Sequence, residues 1–183
     1  IDGRGSENRG RDFEQVIFRD LGKIEMIDQI QGYNYLVSQN YVDSQRIAVH
    51  GWSYGGFMTT NLLLNYSDLF TCGVAGGPVT NWKYYEVMYT ERYMDHPDQN
   101  IDGYEKTNLI EQVNLLEDPL LMIHGLIDDV VVPQHSLDFV KQAIDNNIQM
   151  DYFIYPDHPH NVRGKDRLHL IQKIIDYIRL YNR

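Results

Sequence analysis

Between residues 46 and 66 the chain changes character twice within a few positions, and that juncture constrains its fold more than any other segment. Arg46-Ile47-Ala48-Val49-His50-Gly51 is a short apolar run ending at glycine, the pattern of a strand buried inside a parallel sheet. Phe57 to Tyr66 reads as a helix. Between them stands Gly51-Trp52-Ser53-Tyr54-Gly55, extended by Gly56. A serine on a sharp strand-to-helix turn, with glycine two residues to either side, presents its hydroxyl as a nucleophile. The crowded backbone of such a turn is the reason for glycines at those spacings. The same turn puts Ser53 Oγ near the N-terminus of the next helix, where the N–H of Tyr54 is placed to donate to an oxyanion. A glycine-rich turn with an incidental serine is the plainer alternative, and the strand–turn–helix context argues against it.

The rest of the chain repeats the alternation. After a glycine- and charge-rich stretch from Gly3 to Gly10, a helix is expected from Asp20 to Gln39, where Leu21, Ile24, Ile27 and Ile30 recur at three-residue steps. Cys72 to Ala75 is a second strand, stopped by Gly76-Gly77-Pro78. Asn81 to Tyr93 is aromatic-rich and reads as helical, and Asp102 to Glu117 as mixed helix and loop. Pro119 to Gly125 is a third strand, and Pro133 to Asn146 a helix with proline in its first turn. Met150 to Tyr155 is a fourth strand, and Arg167 to Tyr181 an amphipathic closing helix. Strands alternating with helices predict an α/β architecture, a mostly parallel sheet with helices on both faces. With the serine turn, the expectation is the α/β-hydrolase fold.

In that fold an acid and then a histidine follow the serine along the chain. Asp128, in Gly125-Leu126-Ile127-Asp128-Asp129 after the third strand, is the candidate acid, with Asp129 its neighbouring alternative. The acid orients the histidine and stabilises the imidazolium. After the fourth strand comes Pro156-Asp157-His158-Pro159-His160-Asn161, where His160 is the candidate base and His158 its competitor. A His-x-His metal pair is the remaining reading, but no further ligands stand at suitable spacing, so no metal and no cofactor is expected. His50, His96, His124, His135 and His169 read as structural or surface residues, His124 being close enough to the acid loop to support it.

Composition removes several function classes. The 183 residues carry 16 basic and 26 acidic side chains, a formal charge of −10, which speaks against a nucleic-acid footprint. No apolar run is long enough to span a membrane. The one cysteine, Cys72, sits in an apolar run and reads as a small buried hydrophobe. The chain opens at Ile1-Asp2-Gly3 without an initiator methionine, as a piece of something longer would.

Taken together, Gly51-Trp52-Ser53-Tyr54-Gly55-Gly56 and His124-Gly125 ahead of Asp128-Asp129 resemble the prolyl oligopeptidase family, dipeptidyl peptidase IV branch. The opening Asp2-Gly3-Arg4-Gly5-Ser6 and the segment Tyr84 to Tyr93 are similar as well. The resemblance runs over residues 1–183 and implies the C-terminal part of a peptidase catalytic domain. It further implies a β-propeller, the first hydrolase strands and a tyrosine completing the oxyanion hole, all upstream of this segment. Its proline pocket corresponds to Trp82, Tyr85 and Tyr89, with Tyr54, Val79 and Val131 nearby. Aromatic faces bury a compact pyrrolidine ring well. Glu86 would pair with the substrate's free amine, beside glutamates of the propeller.

One position departs from the branch. An asparagine that binds the substrate backbone is replaced here by Val130, which cannot make that bond. Valines there, with Gly56 to Leu62, Gln134 to Leu137 and His160-Asn161-Val162, are similar to the prolyl tripeptidyl aminopeptidases of the Bacteroides group. The expectation is therefore a serine exopeptidase releasing X-X-Pro tripeptides. Its alternatives are release of X-Pro dipeptides, and another hydrolase on the same triad, an acylaminoacyl peptidase or esterase. A binding module that merely keeps the fold is disfavoured by the intact Ser53, Asp128 and His160. The family implies peptide substrates, a possible homodimer and a periplasmic or exported location.

Overall fold

The computed structural model describes residues 2–183. The elements run in order: α1 (Arg11–Gln15), α2 (Lys23–Val37), β1 (Ala48–Trp52), α3 (Tyr54–Asn65), β2 (Cys72–Gly76), α4 (Val87–Met94), α5 (Ile101–Lys106), β3 (Leu120–Gly125), α6 (Gln134–Asp145), β4 (Asp151–Tyr155) and α7 (Asp166–Tyr181). The four strands pair in sequence order, all parallel. Every β-to-β connection therefore crosses over a face of the sheet, as parallel pairing demands.

Alternation along β3 divides the core. Leu120 and Met122 join a cluster with Phe57, Leu63, Trp82, Phe139 and Ala143, which α3 and α6 supply in part. Leu121 and Ile123 point the other way, to Val74, Tyr155 and the Leu170 and Ile174 of α7. Each fully buried leucine or phenylalanine in these layers contributes about 1.5–3 kcal/mol. α3 is the most enclosed helix, with every residue from Gly56 to Leu64 buried between the sheet on one side and the 3-10 segment Leu109–Leu115 and α2 on the other.

Several boundaries differ from the sequence expectation. β1 extends to Trp52 and lies at one edge of the described sheet, and none of its five residues is fully buried. α3 begins at Tyr54 rather than Phe57, because the turn at Ser53 launches the helix directly. The expected helix from Asn81 to Tyr93 is two pieces, a 3-10 turn at Trp82–Tyr84 and then α4. Glu86 makes the division: its carboxylate accepts the N–H groups of Met88 and Tyr89, capping a new helix start. The short α1, directly after the charge-rich opening stretch, carried no apolar periodicity to predict it.

All four strands point their carboxyl ends to one side, where ligands of open α/β sheets bind. Ser53 follows β1, Gly77 follows β2, the Asp128 turn follows β3, and the His160 loop follows β4.

Candidate active site

Ser53 holds a left-handed backbone, φ 61° and ψ −117°, a conformation costing about 1–3 kcal/mol for a residue with a side chain. The surrounding bonds hold it there. Its N–H donates to Gly76 O at 2.8 Å, and its carbonyl accepts Phe57 N–H at 3.0 Å. A Cβ on Gly51 would stand 2.3 Å from Gly55 O, so only glycine fits. The symmetrical expectation fails at Gly55, where an added Cβ meets nothing within 4 Å. Gly56 carries the second constraint, since its Cβ would lie 2.6 Å from Gly76 O.

Tyr54 is the first residue of α3, where a backbone N–H has no partner within the helix. Its phenol donates to the carboxylate of Glu25, which also accepts Gly22 N–H at 3.0 Å. Its ring packs on Phe57 and Trp82, with centroids 5.4 and 5.8 Å away. Burial, with the adjacent Glu25, pushes the Tyr54 hydroxyl far above the ordinary phenol range, so it remains a donor. Burial also raises Glu25, partly offset by the Tyr54 hydroxyl and the Gly22 N–H.

Asp128 and His160 are in direct contact, with His160 Nδ1 donating to Asp128 Oδ2 at 2.7 Å. Asp128 Oδ1 accepts the N–H groups of Val130 and Val131, both at 2.9 Å. Burial alone would raise the Asp128 carboxyl. The donors His124, His160, Val131 and Val130 outweigh it and hold the group well below the usual carboxylate range. Asp128 is thus a carboxylate at neutral pH, the state in which a carboxyl can orient an imidazole. Asp129, the alternative acid, is exposed beside it. His158, the alternative base, pairs with Asp166 at 2.9 Å. No hydrogen bond among the described residues ends on the Ser53 hydroxyl, so the structure joins Asp128 to His160 and sets Ser53 at the end of β1, with β2 between it and the strand that carries Asp128.

Two contacts brace the histidine loop, one from the residue before Ser53 and one from the end of β2. Trp52 Nε1 donates to the backbone carbonyl of His160 at 2.8 Å. A Cβ on Gly77 would lie 3.1 Å from His160 Cε1. A third contact ties the histidine loop to the acid loop, since a Cβ on Gly125 would stand 2.2 Å from Pro159 O. Ile127 N–H also donates to His158 O. Neither the indole of Trp52 nor Gly125 was identifiable from sequence, because each acts on a loop far along the chain.

The aromatic residues after β2 form a cluster. Trp82 meets Tyr85 edge-on at 5.9 Å and stacks with Tyr89 at 6.0 Å, and Tyr85 meets Tyr89 at 5.3 Å. Trp82, Val79 and Val131 are buried behind this cluster, while Tyr85 and Tyr89 are half-buried. The accessible aromatic faces are therefore the tyrosines, covering a tryptophan floor. Glu86 stands exposed beside them with both oxygens engaged in the cap of α4. A cavity of about 450 Å³ lies behind Tyr54 and Tyr89, walled by the Asp2–Ser6 loop and Glu25, and does not include Ser53 or His160. Among the described residues no group of three or more His, Cys, Asp or Glu is arranged to hold a metal ion. No helix among them is long and apolar enough to cross a membrane.

The model of the prolyl oligopeptidase family, Peptidase_S9, matches residues 1–182. The chain belongs to the prolyl oligopeptidase family. Among relatives, it is 40% identical to mouse dipeptidyl peptidase 8 over 167 residues, 89% of this chain and 19% of that protein. A solved structure from Bacteroides ovatus, designated a candidate dipeptidyl aminopeptidase IV, superposes with a TM-score of 0.96 at 53% identity. That match covers 98% of this chain and 26% of the other. Dipeptidyl peptidase 4 of Porphyromonas gingivalis superposes with a TM-score of 0.92 at 34% identity, over 97% and 25%. The chain therefore spans about a fifth to a quarter of the length of these relatives. The fold is that of the α/β-hydrolase catalytic domain of this family.

Proposed function

We propose that this segment is the catalytic part of a serine exopeptidase that cleaves after proline near peptide N-termini and releases X-X-Pro tripeptides. The observation that carries the hydrolase reading is the strained Ser53 turn beside the Asp128–His160 pair. His160 takes the proton from Ser53 Oγ as the oxygen attacks the carbonyl after proline. The Tyr54 N–H donates to the oxyanion that forms. His160 then passes the proton to the leaving amine, and the C–N bond breaks to leave an acyl-serine. Water, deprotonated by His160, attacks the acyl carbon and restores Ser53.

Proline specificity is supported by the Tyr85–Tyr89–Trp82 cluster. Tripeptide release is supported by Val130, which is nearly half exposed and offers the substrate backbone no hydrogen bond. Release of X-Pro dipeptides is the second reading, favoured by the dipeptidyl peptidases among the relatives. The full protein is proposed to carry a β-propeller ahead of this domain, to act outside the cytoplasm, and to form a homodimer. Hydrolysis of Gly-Pro, Ala-Ala-Pro and Ala-Ala-Ala p-nitroanilides by the full-length protein tests the substrate class. Preference for Ala-Ala-Pro is expected. Preference for Gly-Pro returns the protein to dipeptide release, and preference for Ala-Ala-Ala removes the proline pocket.

A further inference from the structure

We propose that His124 is a positioning residue of the triad, holding Asp128 and its turn from the side opposite His160. The proposal rests on the reading of Ser53, Asp128 and His160 as a catalytic triad. His124 is the penultimate residue of β3 and is fully buried. Its Nε2 lies 2.7 Å from the carbonyl of Val131 and 3.3 Å from Asp128 Oδ2. A carbonyl oxygen only accepts, so Nε2 carries the hydrogen in either charge state of the ring. That N–H is then shared between the backbone of the acid turn and the carboxylate oxygen that His160 uses. On the other edge, Nδ1 stands 2.7 Å from Ser136 Oγ of α6, which fixes the ring plane.

The carboxylate is thereby held from every side. Val130 and Val131 fix Oδ1, while His160 and His124 face Oδ2. Other titratable groups near this cluster are His135 of α6, Tyr85, and Tyr152 of β4, whose hydroxyl meets Ser136 and whose pKa burial raises; His135 is kept neutral, its pKa pushed down to about 3 by burial. His124 has no exposed surface through which water could replace its N–H. Two consequences follow. The turn cannot rotate Oδ2 away from His160 Nδ1, so the tautomer that leaves His160 Nε2 open toward the serine side is retained. A second donor at Oδ2 also draws off part of the charge that would otherwise act on His160 alone.

The test is the rate at which a fluorophosphonate labels Ser53 in the full-length enzyme, measured across pH. This probe needs no proline pocket. If the wild-type protein is not labelled, the triad reading fails and this proposal with it, whereas failure of tripeptide specificity leaves it untouched. His124→Phe fills the same space without a donor. It should slow labelling about tenfold and move the lower limb of the pH profile to higher pH, because Oδ2 then acts on His160 alone. His124→Gln, which restores an N–H, should bring the limb back toward wild type. Ser136→Ala, a small truncation that spares the fold if His124→Phe does not, should move rate and limb in the same direction by less. An unchanged rate and limb in His124→Phe, or in Ser136→Ala where the phenylalanine variant does not fold, would make His124 a space-filler and overturn the proposal.

Discussion

Trp52 and His160 stand 108 positions apart in sequence, and the indole N–H of one donates to the backbone carbonyl of the other at 2.8 Å. The residue just before Ser53 thus braces the loop that carries His160. The ring of Trp52 also lies against Gly76, where a Cβ would stand 1.9 Å from it, so neither partner has room to shift. Trp52→Phe keeps most of the ring and removes the donor. Its expected effect in the full-length enzyme is a drop in kcat of about tenfold with KM little changed, since a misplaced base costs rate rather than binding. A change confined to KM would place Trp52 in substrate binding instead.

Asp128→Asn should be far more damaging. The amide cannot stabilise imidazolium and favours the wrong tautomer of His160, which in serine hydrolases costs kcat about 10⁴-fold. Peptide affinity should persist, measurable as retained competitive inhibition by a product peptide. Asp129→Asn, one position along and exposed, should leave kcat within about twofold of wild type. Equal losses in both variants would put the acid in doubt.

The two glycines after the nucleophile should respond in opposite ways. Gly56→Ala drives a Cβ to 2.6 Å from Gly76 O, with β2 backbone that cannot yield, and should destabilise by about 1–3 kcal/mol. Gly55→Ala meets open space in the first turn of α3 and should be neutral or stabilising by up to about 1 kcal/mol. Urea denaturation of the two variants side by side decides it, and equal destabilisation would contradict the packing described for the turn.

At the opposite end of the sheet, Asp118 precedes β3 with one buried oxygen that has no hydrogen-bond partner. Burial, with Glu117 and Asp68 nearby, pushes its pKa from 3.8 up to about 6. A carboxyl raised in the folded state favours folding while protonated, and that contribution is lost as pH climbs from about 4 through 6. Asp118→Asn should therefore raise Tm at pH 7.5 and give little or no gain at pH 4. An equal gain at both pH values would show that charge is not the cause.

The three candidate residues could be picked from the sequence because each sits in a local signal: a glycine-framed serine, and an aspartate and a histidine in loops directly after apolar strands. Parallel alternation was legible for the same reason, since β2, β3 and β4 are apolar runs bounded by breakers. What joins the members was not legible. The Trp52 indole, the bare Gly125 under Pro159 and the Ser136–His124 pair are contacts between segments brought together only by sheet order. Local rules also failed where two signals overlapped. Glycines at the head of α3 hid its true start, and the aromatic run through Tyr84 and Tyr85 hid the helix start that Glu86 caps.

The central claim is that Ser53 is a nucleophile activated by His160 and Asp128. Mass spectrometry of the full-length protein after fluorophosphonate treatment tests it most directly. The account predicts a single adduct on the peptide containing Ser53, formed at neutral pH and abolished in His160→Ala. An unmodified Ser53, or labelling that persists undiminished without His160, would contradict it.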